Sequence, residues 1–295
     1  MLWLIEKGRY LKMADKIATR EAYGNALAEF GDKYDFVVLD ADLAAATKTG
    51  VFKKKFPERF FDCGIAEGNM MTVAAGIAAT GTTVFASSFA MFAAGRAFEQ
   101  IRNSIGYPHL NVKIGATHAG ITVGEDGATH QCLEDIALMR TIPGMVVINP
   151  SDAVEARAAV EWAINYKGPV YLRFGRLAVP VINDKPEYKF EAGKGITVAD
   201  GKDVTIIASG ITVDMAIAAK ELLKADGIDA RVINIHTIKP IDRDIIVKAA
   251  AETGAIVTAE EHNILGGLGA AVAEVVCETK PVPVVRVGVE DSFGR

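Results

Sequence analysis

The sequence has few cysteines, and their spacing suits neither a metal centre nor a disulfide framework. Cys63, Cys132 and Cys277 are the three cysteines among 295 residues. They lie far apart and lack the short Cys-x-x-Cys spacing of zinc sites. We therefore expect reduced, buried thiols, as in a cytoplasmic protein. Cys63 has no base near it in sequence, which argues against a nucleophilic thiol.

Basic runs and long apolar segments are also missing. The formal net charge is −5, and charges of both signs are interspersed along the chain. This pattern argues against a nucleic-acid groove. The apolar stretch at 82–97 contains Arg96 and is too short to span a bilayer. The apolar start of the chain is interrupted by an acid and is too short for a signal peptide. We expect neither nucleic-acid binding nor a membrane segment.

Strand-like apolar runs alternate with helical patterns twice, over 36–173 and again over 204–287. This alternation predicts an α/β fold of two doubly wound, mostly parallel sheets. The polar, proline-containing stretch between the two parts is typical of a linker. Two helices matter below: one at 17–30, with Thr19 as its cap, and one at 89–105. The predicted divisions are an N-terminal extension at 1–12, a first domain at 13–177, a linker at 178–195 and a second domain at 196–295.

Residues 61–81 place one carboxylate, Glu67, at the start of a helix of small and apolar residues. Nearly every side of the helix at 66–79 is small or apolar, so we expect burial on all sides. Burial disfavours a charged carboxylate, which predicts a protonated Glu67 that can donate a hydrogen bond. The plainer interpretation is an acid that complements the helix dipole.

The Gly-rich loop at 117–131 is the second informative stretch. It contains His118, Asp126 and His130, with Glu125 and Gln131 beside them. Loops after parallel strands are where α/β proteins place ligands. Two histidines and an acid suit proton transfer near neutral pH. A metal site is the rival interpretation, although the spacing offers no third ligand. A polar surface loop is the plainest alternative.

Aromatic and cationic side chains follow other predicted strands. Phe89 and Phe92 stand at a strand-to-helix corner, where phenyl rings can stack a flat heterocycle or simply pack in the core. Arg173 and Arg176 end a strand at the linker. Guanidinium pairs suit phosphate, although surface arginines often have no specific partner. Arg20 is equally ambiguous on its own.

Three features of the second half carry little functional weight. The segment GGLGAAV at 266–272 only loosely matches a dinucleotide-binding loop, because its spacing is incomplete. His236 and His262 are interpreted as structural rather than catalytic residues.

Taken together, seven segments resemble the C-terminal half of transketolase from residue 13 onward: IATREAYG, DCGIAEGNM, SSFAMF, THAGITVGEDGATHQ, NPSD, YLRFGR and TIKPID. The resemblance implies a thiamine diphosphate enzyme whose pyrimidine-binding domain is followed by a transketolase C-terminal domain. The family's GDG motif, which holds the diphosphate and Mg²⁺ together with an asparagine, has no counterpart here. Asp126-Gly127 with Asn149 is rejected because it belongs to the substrate loop. The resemblance therefore implies an α2β2 assembly with an N-terminal, diphosphate-binding subunit that carries Mg²⁺.

The resemblance also assigns expected roles. Glu67 would hydrogen-bond N1′ of the aminopyrimidine, and Phe89 would stack on that ring with Phe92 close by. The remaining matches would bind a sugar phosphate: Arg20, His118, Asp126, His130, Arg173 and Arg176. The two histidines would move protons on the sugar hydroxyls and the aspartate would read their configuration. The arginines would hold the phosphate, with Arg173 the weakest candidate.

The function that the resemblance implies is transfer of a two-carbon ketol unit from a ketose phosphate to an aldose phosphate, as in the pentose phosphate pathway. One alternative is a β subunit of a 2-oxo acid dehydrogenase or a deoxyxylulose-phosphate synthase-like enzyme. Another is a non-catalytic, partner-binding subunit. The sequence departs from the family at Ala46, where many members have a phosphate-binding serine. It also departs at Gly95, where some have an aromatic residue, and it ends without a closing helix.

Overall fold

The computed structural model describes residues 3–6, 9–12 and 15–294. The expected domain start at residue 13 and the last residue, 295, lie outside them. The strands are β1 (Trp3–Glu6), β2 (Arg9–Lys12), β3 (Lys16–Ala18), β4 (Phe36–Asp40), β5 (Phe60–Asp62), β6 (Thr83–Phe89), β7 (Val112–Thr117), β8 (Val146–Ile148), β9 (Val170–Arg173), β10 (Ala178–Pro180), β11 (Ile196–Ala199), β12 (Val204–Ala208), β13 (Ala230–Asn234), β14 (Thr237–Lys239), β15 (Ile256–Asn263) and β16 (Val284–Val289).

Ten α-helices pack on these strands in the described residues. They are α1 (Thr19–Phe30), α2 (Ala44–Thr47), α3 (Gly50–Lys55), α4 (Glu67–Ala79), α5 (Phe98–Gln100), α6 (Asp135–Arg140), α7 (Ala153–Asn165), α8 (Thr212–Ala225), α9 (Arg243–Thr253) and α10 (Leu268–Glu278). Two of them start at aspartate caps. Asp152 accepts the amide of Glu155 at 2.9 Å, and Asp242 accepts that of Ile245 at 3.3 Å. Such caps satisfy amides that the first helical turn leaves free.

The first sheet has seven strands in the order β14-β8-β9-β7-β6-β4-β5. Strands β4 to β9 pair in parallel, and their apolar runs are buried between helices on both faces. Parallel sheets need such double cover, because neither face can remain in water. The second sheet has the order β11-β13-β12-β15-β16, with β12, β13, β15 and β16 parallel. The predicted α/β class with two wound sheets is confirmed.

The two units share one apolar core. Ile114 and Val147 of the first sheet belong to the same buried cluster as Ile207 and Ile256 of the second. Strand β14 follows the second unit's β13 in sequence but pairs antiparallel with β8 of the first sheet. The sequence analysis missed β14 and the antiparallel edge strand β11. Both are short, without the long apolar runs that marked the central strands.

Helix α4 is buried on one side only. Met70, Met71 and Ala74 face the core, whereas Asn69 and Val73 are exposed. The expectation of burial on all sides is wrong for the chain by itself. The physical reason is that α4 packs with one face on the first sheet, mainly on β6, while the chain leaves its second, small-residue face open.

Three local expectations also need correction. Helix α1 begins at Thr19 itself, and this hydroxyl accepts the amide of Gly175 at 2.9 Å instead of capping the helix. The predicted linker starts as a strand, because β10 pairs with β3. The helix expected at 89–105 is interrupted by π-helical turns at Met91–Arg96 and Ile101–Gly106, and Phe89 ends β6.

No helix within 3–6, 9–12 or 15–294 is long and apolar enough to cross a membrane.

Candidate active site

Glu67 is the first residue of α4, the helix that follows β5 of the first sheet. Its side chain is 2% exposed, and Oε2 accepts a hydrogen bond from Nη1 of Arg96 at 2.9 Å. The helix N-terminus adds a favourable partial charge. The expectation of a lone carboxylate is therefore wrong, since a guanidinium offsets part of the penalty that burial imposes on the charged group. The sequence analysis missed this partner.

The phenyl rings of Phe89 and Phe92 lie parallel, with centroids 5.9 Å apart and an interplanar angle of 16°. Phe89 is 6% exposed, and its ring stacks on the imidazole of His118 at 3.8 Å. Phe92 is half-buried, with Cζ of Arg96 over its ring at 4.6 Å. His130 meets Phe92 edge-on at 5.2 Å. Phe92 is thus the more accessible of the two rings.

His118 directly follows the parallel strand β7 and has a left-handed conformation, with φ of 55°. Its Nε2 lies 3.0 Å from Nη1 of Arg20, and its Nδ1 lies 3.0 Å from Oγ1 of Thr117. A guanidinium can only donate, so Nε2 accepts and the ring proton sits on Nδ1. Burial, followed by the charge of Arg20, lowers the pKa of His118 to about 4. The imidazole is neutral at physiological pH, and its one unprotonated nitrogen is engaged by Arg20.

This shift predicts a specific acid sensitivity. Between pH 6.5 and about 4 the unfolded chain protonates His118 while the folded chain does not, so stability should fall as the pH falls through this window. We expect the His118 contribution to be about 2–3 kcal/mol. In His118→Gln, an amide oxygen can replace the acceptor without titrating. Urea unfolding of both chains at pH 6.5, 5.5 and 4.5 measures the difference, and an equal loss in both would contradict the assignment.

Two arginines converge behind His118. Arg20 donates to the carbonyl of Ala46 at 3.0 Å, while its buried Nε has no partner among the described residues. Burial lowers the pKa of Arg20, and the neighbouring charge of Arg176 lowers it further. Arg176 donates to the carbonyl of Val123 at 2.6 Å and to Glu125 at 3.1 Å. Two close guanidinium groups repel each other, so an anion between them would be favourable.

The remaining loop residues stand around these arginines. Asp126 ends the short 3-10 turn Gly124–Asp126 of the same loop, and its charge partly offsets the lowering of the pKa of Arg20 and His118. His130 is half-buried, and its Nδ1 lies 3.0 Å from Oγ1 of Thr129. Ala46 contributes its backbone carbonyl, and no side-chain hydroxyl, to this site.

Arg173 does not belong with the other arginines. It is 2% exposed; its Nε donates to Asp135 at 2.8 Å and its Nη2 to the carbonyl of Glu261 at 2.9 Å. Asp135 also accepts the hydroxyl of Tyr171 at 2.9 Å. The expected phosphate role is corrected, because the donors of Arg173 are engaged in tying the two domains together.

The second domain holds the Gly-rich loop at 117–131 in place. Oε1 of Glu261 accepts the amide of Thr122 at 2.7 Å. Gly120 has φ of +84°, and a Cβ there would meet the Glu261 carboxyl at 2.2 Å. The close approach therefore requires glycine. The sequence analysis missed Glu261, since only the fold brings residue 261 to a loop near residue 120.

The other candidates of the second domain are structural. The start of α10 donates the amides of Leu268 and Gly269 to Glu260 at 2.6 and 2.8 Å, so the chain's own carboxylate fills the place of a phosphate. His262 is buried beside Asp135, and His236 is buried beside Thr237. Over the described ranges, no group of three His, Cys, Asp or Glu side chains could hold a metal ion.

Comparisons with known proteins cover both units. Residues 15–181 match the transketolase pyrimidine-binding domain, and residues 193–295 match the transketolase C-terminal domain. A Methanocaldococcus jannaschii protein named as a transketolase C-terminal section is 53% identical, over 94% of this chain and 87% of its own length. A 6-deoxy-6-sulfo-D-fructose transketolase subunit of Clostridium sp. is 45% identical, over 94% of this chain and 86% of its own.

Longer and structurally known relatives agree. Human transketolase is 42% identical over 94% of this chain, but the match spans only 45% of the human protein. A solved split-gene transketolase, described as an inactive β4 tetramer, superposes with a TM-score of 0.88 at 57% identity, covering 95% of this chain and 90% of its own. The chain therefore belongs to the transketolase family and carries that family's pyrimidine-binding and C-terminal domains in the arrangement of a split-gene C-terminal section.

Proposed function

We propose that this chain is the C-terminal subunit of a two-chain, thiamine diphosphate-dependent transketolase. It takes part in moving a two-carbon ketol unit from a ketose phosphate to an aldose phosphate. One observation carries the proposal: contacting side chains run from Glu67 and Arg96 through Phe92, His130 and Phe89 to His118 and Arg20. A ring-binding end and an anion-binding end thus meet in one site.

The ring-binding end suits an aminopyrimidine. The partly exposed guanidinium of Arg96 links Glu67 and Phe92, because it donates to Oε2 of Glu67 and lies over the half-buried ring of Phe92. In the proposed site Glu67 holds a proton against N1′ while Phe92 supports the ring face. Thiamine diphosphate supplies, when bound, a nucleophilic carbon and an electron sink. Holding this proton at a fixed atom is general acid–base work that suits a buried carboxyl group.

The anion-binding end suits the substrate. Nε2 of the neutral His118 accepts from Arg20 and so fixes that guanidinium, and His130, which faces the same aromatic wall, can bind a sugar hydroxyl. Asp126 can accept a hydroxyl hydrogen bond, which distinguishes sugar configurations. Arg20 and Arg176 are the groups that hold the terminal anion. Two relatives are named as transketolases for 6-deoxy-6-sulfo-D-fructose and for apulose 4-phosphate. The sugars in these names differ, but each carries a sulfonate or a phosphate group that two arginines could bind.

The partner subunit completes the site in this proposal. The diphosphate and Mg²⁺ would be bound by an N-terminal subunit, in an α2β2 complex. The open face of α4, with Val73 exposed at 39%, is the surface that we assign to subunit contact. Such a face of small and apolar residues suits close packing against another chain. Cys63, Cys132 and Cys277 are free thiols, in keeping with a cytoplasmic complex, but the expectation that all three are buried is wrong, because Cys277 is exposed and Cys63 is partly exposed.

The proposal predicts that the chain is inactive alone and active in a mixture. We would measure ketol transfer from xylulose 5-phosphate to ribose 5-phosphate with thiamine diphosphate and Mg²⁺. The chain would be tested by itself, then with a diphosphate-binding subunit, then with that subunit and a Glu67→Gln chain. Activity only with the unsubstituted pair is the expected result, because each chain supplies one half of the cofactor site.

Two outcomes would overturn the proposal. Activity of the chain alone would mean that it contains its own diphosphate site. A complex that binds the cofactor, decarboxylates a 2-oxo acid and transfers no ketol unit would place the chain with 2-oxo acid dehydrogenases. A parallel assay with a sulfonated ketose identifies which strong-acid anion the two arginines prefer.

A further inference from the structure

Arg96 occupies the position where the aminopyrimidine is proposed to bind. Its planar guanidinium group lies over the ring of Phe92, with Cζ 4.6 Å from the centroid. At the same time Nη1 donates to Oε2 of Glu67 at 2.9 Å. A flat group that stacks on Phe92 and hydrogen-bonds Glu67 makes the same two interactions that the cofactor ring would make. The two groups therefore compete for one place.

The π-helical turn Met91–Arg96 creates this geometry. The amide of Ala97 donates to the carbonyl of Phe92 at 3.2 Å, five residues back. Phe92 and Arg96 are four residues apart and lie on one side of this turn, and π-turns of this kind are frequent at functional sites. A side chain at position 95 would collide with Met91, because a Cβ there would fall 2.3 Å from Cε of Met91.

The two partners of this pair are very unequally exposed. The side chain of Arg96 is 55% exposed, whereas that of Glu67 is 2% exposed. The guanidinium can therefore leave into water at little cost, as exposed ionic groups do. Glu67 cannot follow it, and a buried carboxylate without a partner is strongly unfavourable. Release of Arg96 is thus favourable only when another group takes over the hydrogen bond to Glu67.

We propose that Arg96 is an internal placeholder for the cofactor ring. In the cofactor-free chain it stabilises Glu67 and covers Phe92, and thiamine diphosphate must displace it in order to bind. This inference rests on the proposed function, because it takes the site between Glu67 and Phe92 as the aminopyrimidine site. It makes Arg96 a residue that sets cofactor affinity by positioning Glu67, without contacting the sugar substrate.

The test compares Arg96→Ala with Arg102→Ala, an exposed arginine one π-turn further along. In the complex with the diphosphate-binding subunit, we would measure the Kd of thiamine diphosphate by calorimetry at fixed Mg²⁺. Removing the competitor should tighten binding about tenfold, as expected for one charge-assisted hydrogen bond. Arg102→Ala should leave the Kd unchanged. Binding that weakens in Arg96→Ala would overturn the proposal and make Arg96 a ligand of the cofactor or of its partner site.

A second measurement needs no cofactor. Thermal unfolding of the chain alone should shift down by roughly 2–4 °C in Arg96→Ala, because Glu67 loses its partner. In a Glu67→Gln background the same change should have a clearly smaller effect, since the amide oxygen can keep the hydrogen bond but the attraction between opposite charges is already lost. Equal shifts in both backgrounds would contradict the pairing. Failure of the unsubstituted complex to bind thiamine diphosphate would instead count against the proposed function, which keeps the two failures distinguishable.

Discussion

Replacing Glu67 by glutamine should lower ketol transfer by the assembled enzyme by at least about a hundredfold, the usual scale for losing a general acid or base. Glutamine has nearly the same shape and can still hydrogen-bond a ring nitrogen. It cannot hold or release a proton at that atom, however, which is the step assigned to Glu67. The loss should therefore appear in kcat and persist when thiamine diphosphate is saturating.

The control for this prediction is Glu260→Gln. Glu260 is also a buried carboxylate at a helix start, where it accepts the amides of Leu268 and Gly269. Burial raises its pKa to about 6. Losing that carboxylate should affect folding stability and leave kcat unchanged, because Glu260 lies at α10 rather than at the proposed ring site. Normal turnover by a Glu67→Gln complex that contains the cofactor would remove Glu67 from the reaction.

The sequence predicted the parts of the fold that depend on regular patterns. The apolar run at 36–39 and the mostly apolar stretch at 111–115 were predicted as strands, and both lie in buried parallel strands of the first sheet, β4 and β7. The placement of Glu67 at a helix start follows from the change of pattern after Gly64. Short edge strands such as β11 and β14 have no comparable signal, because their existence depends on a neighbour that only the folded chain provides.

The sequence predicted which residues form the candidate site, but it did not predict which of them pair with one another. Glu67 and His118 stand out by residue type and surroundings, whereas the ion pair of Arg96 depends on a π-turn that periodicity does not reveal. The one signal for Arg96 was its charge within an apolar stretch. Arg173 and Arg176 look alike in sequence. Their roles differ because Arg173 forms an ion pair with Asp135, a residue distant in sequence. Tertiary contacts decided these roles.

Replacing Arg20 by alanine should lower kcat/KM for phosphorylated ketoses by about 10- to 100-fold, the value of a charge-assisted hydrogen bond to an anion. The loss should lie mainly in KM. Arg176→Ala should give a smaller loss, because Arg176 already donates to Glu125 and to a backbone carbonyl. Initial rates with xylulose 5-phosphate and with erythrulose, which has no phosphate, separate anion binding from chemistry.

The comparison between xylulose 5-phosphate and erythrulose is decisive, because Arg20 has two possible roles in the site. It can hold the phosphate, and it also donates to Nε2 of His118. If it acts through the phosphate, erythrulose turnover should be unaffected in Arg20→Ala, as it should be in the control Arg157→Ala, whose guanidinium pairs with Glu29 on the surface. Equal losses with both donors would show that Arg20 works by fixing the neutral tautomer of His118. The anion site would then depend on Arg176 alone.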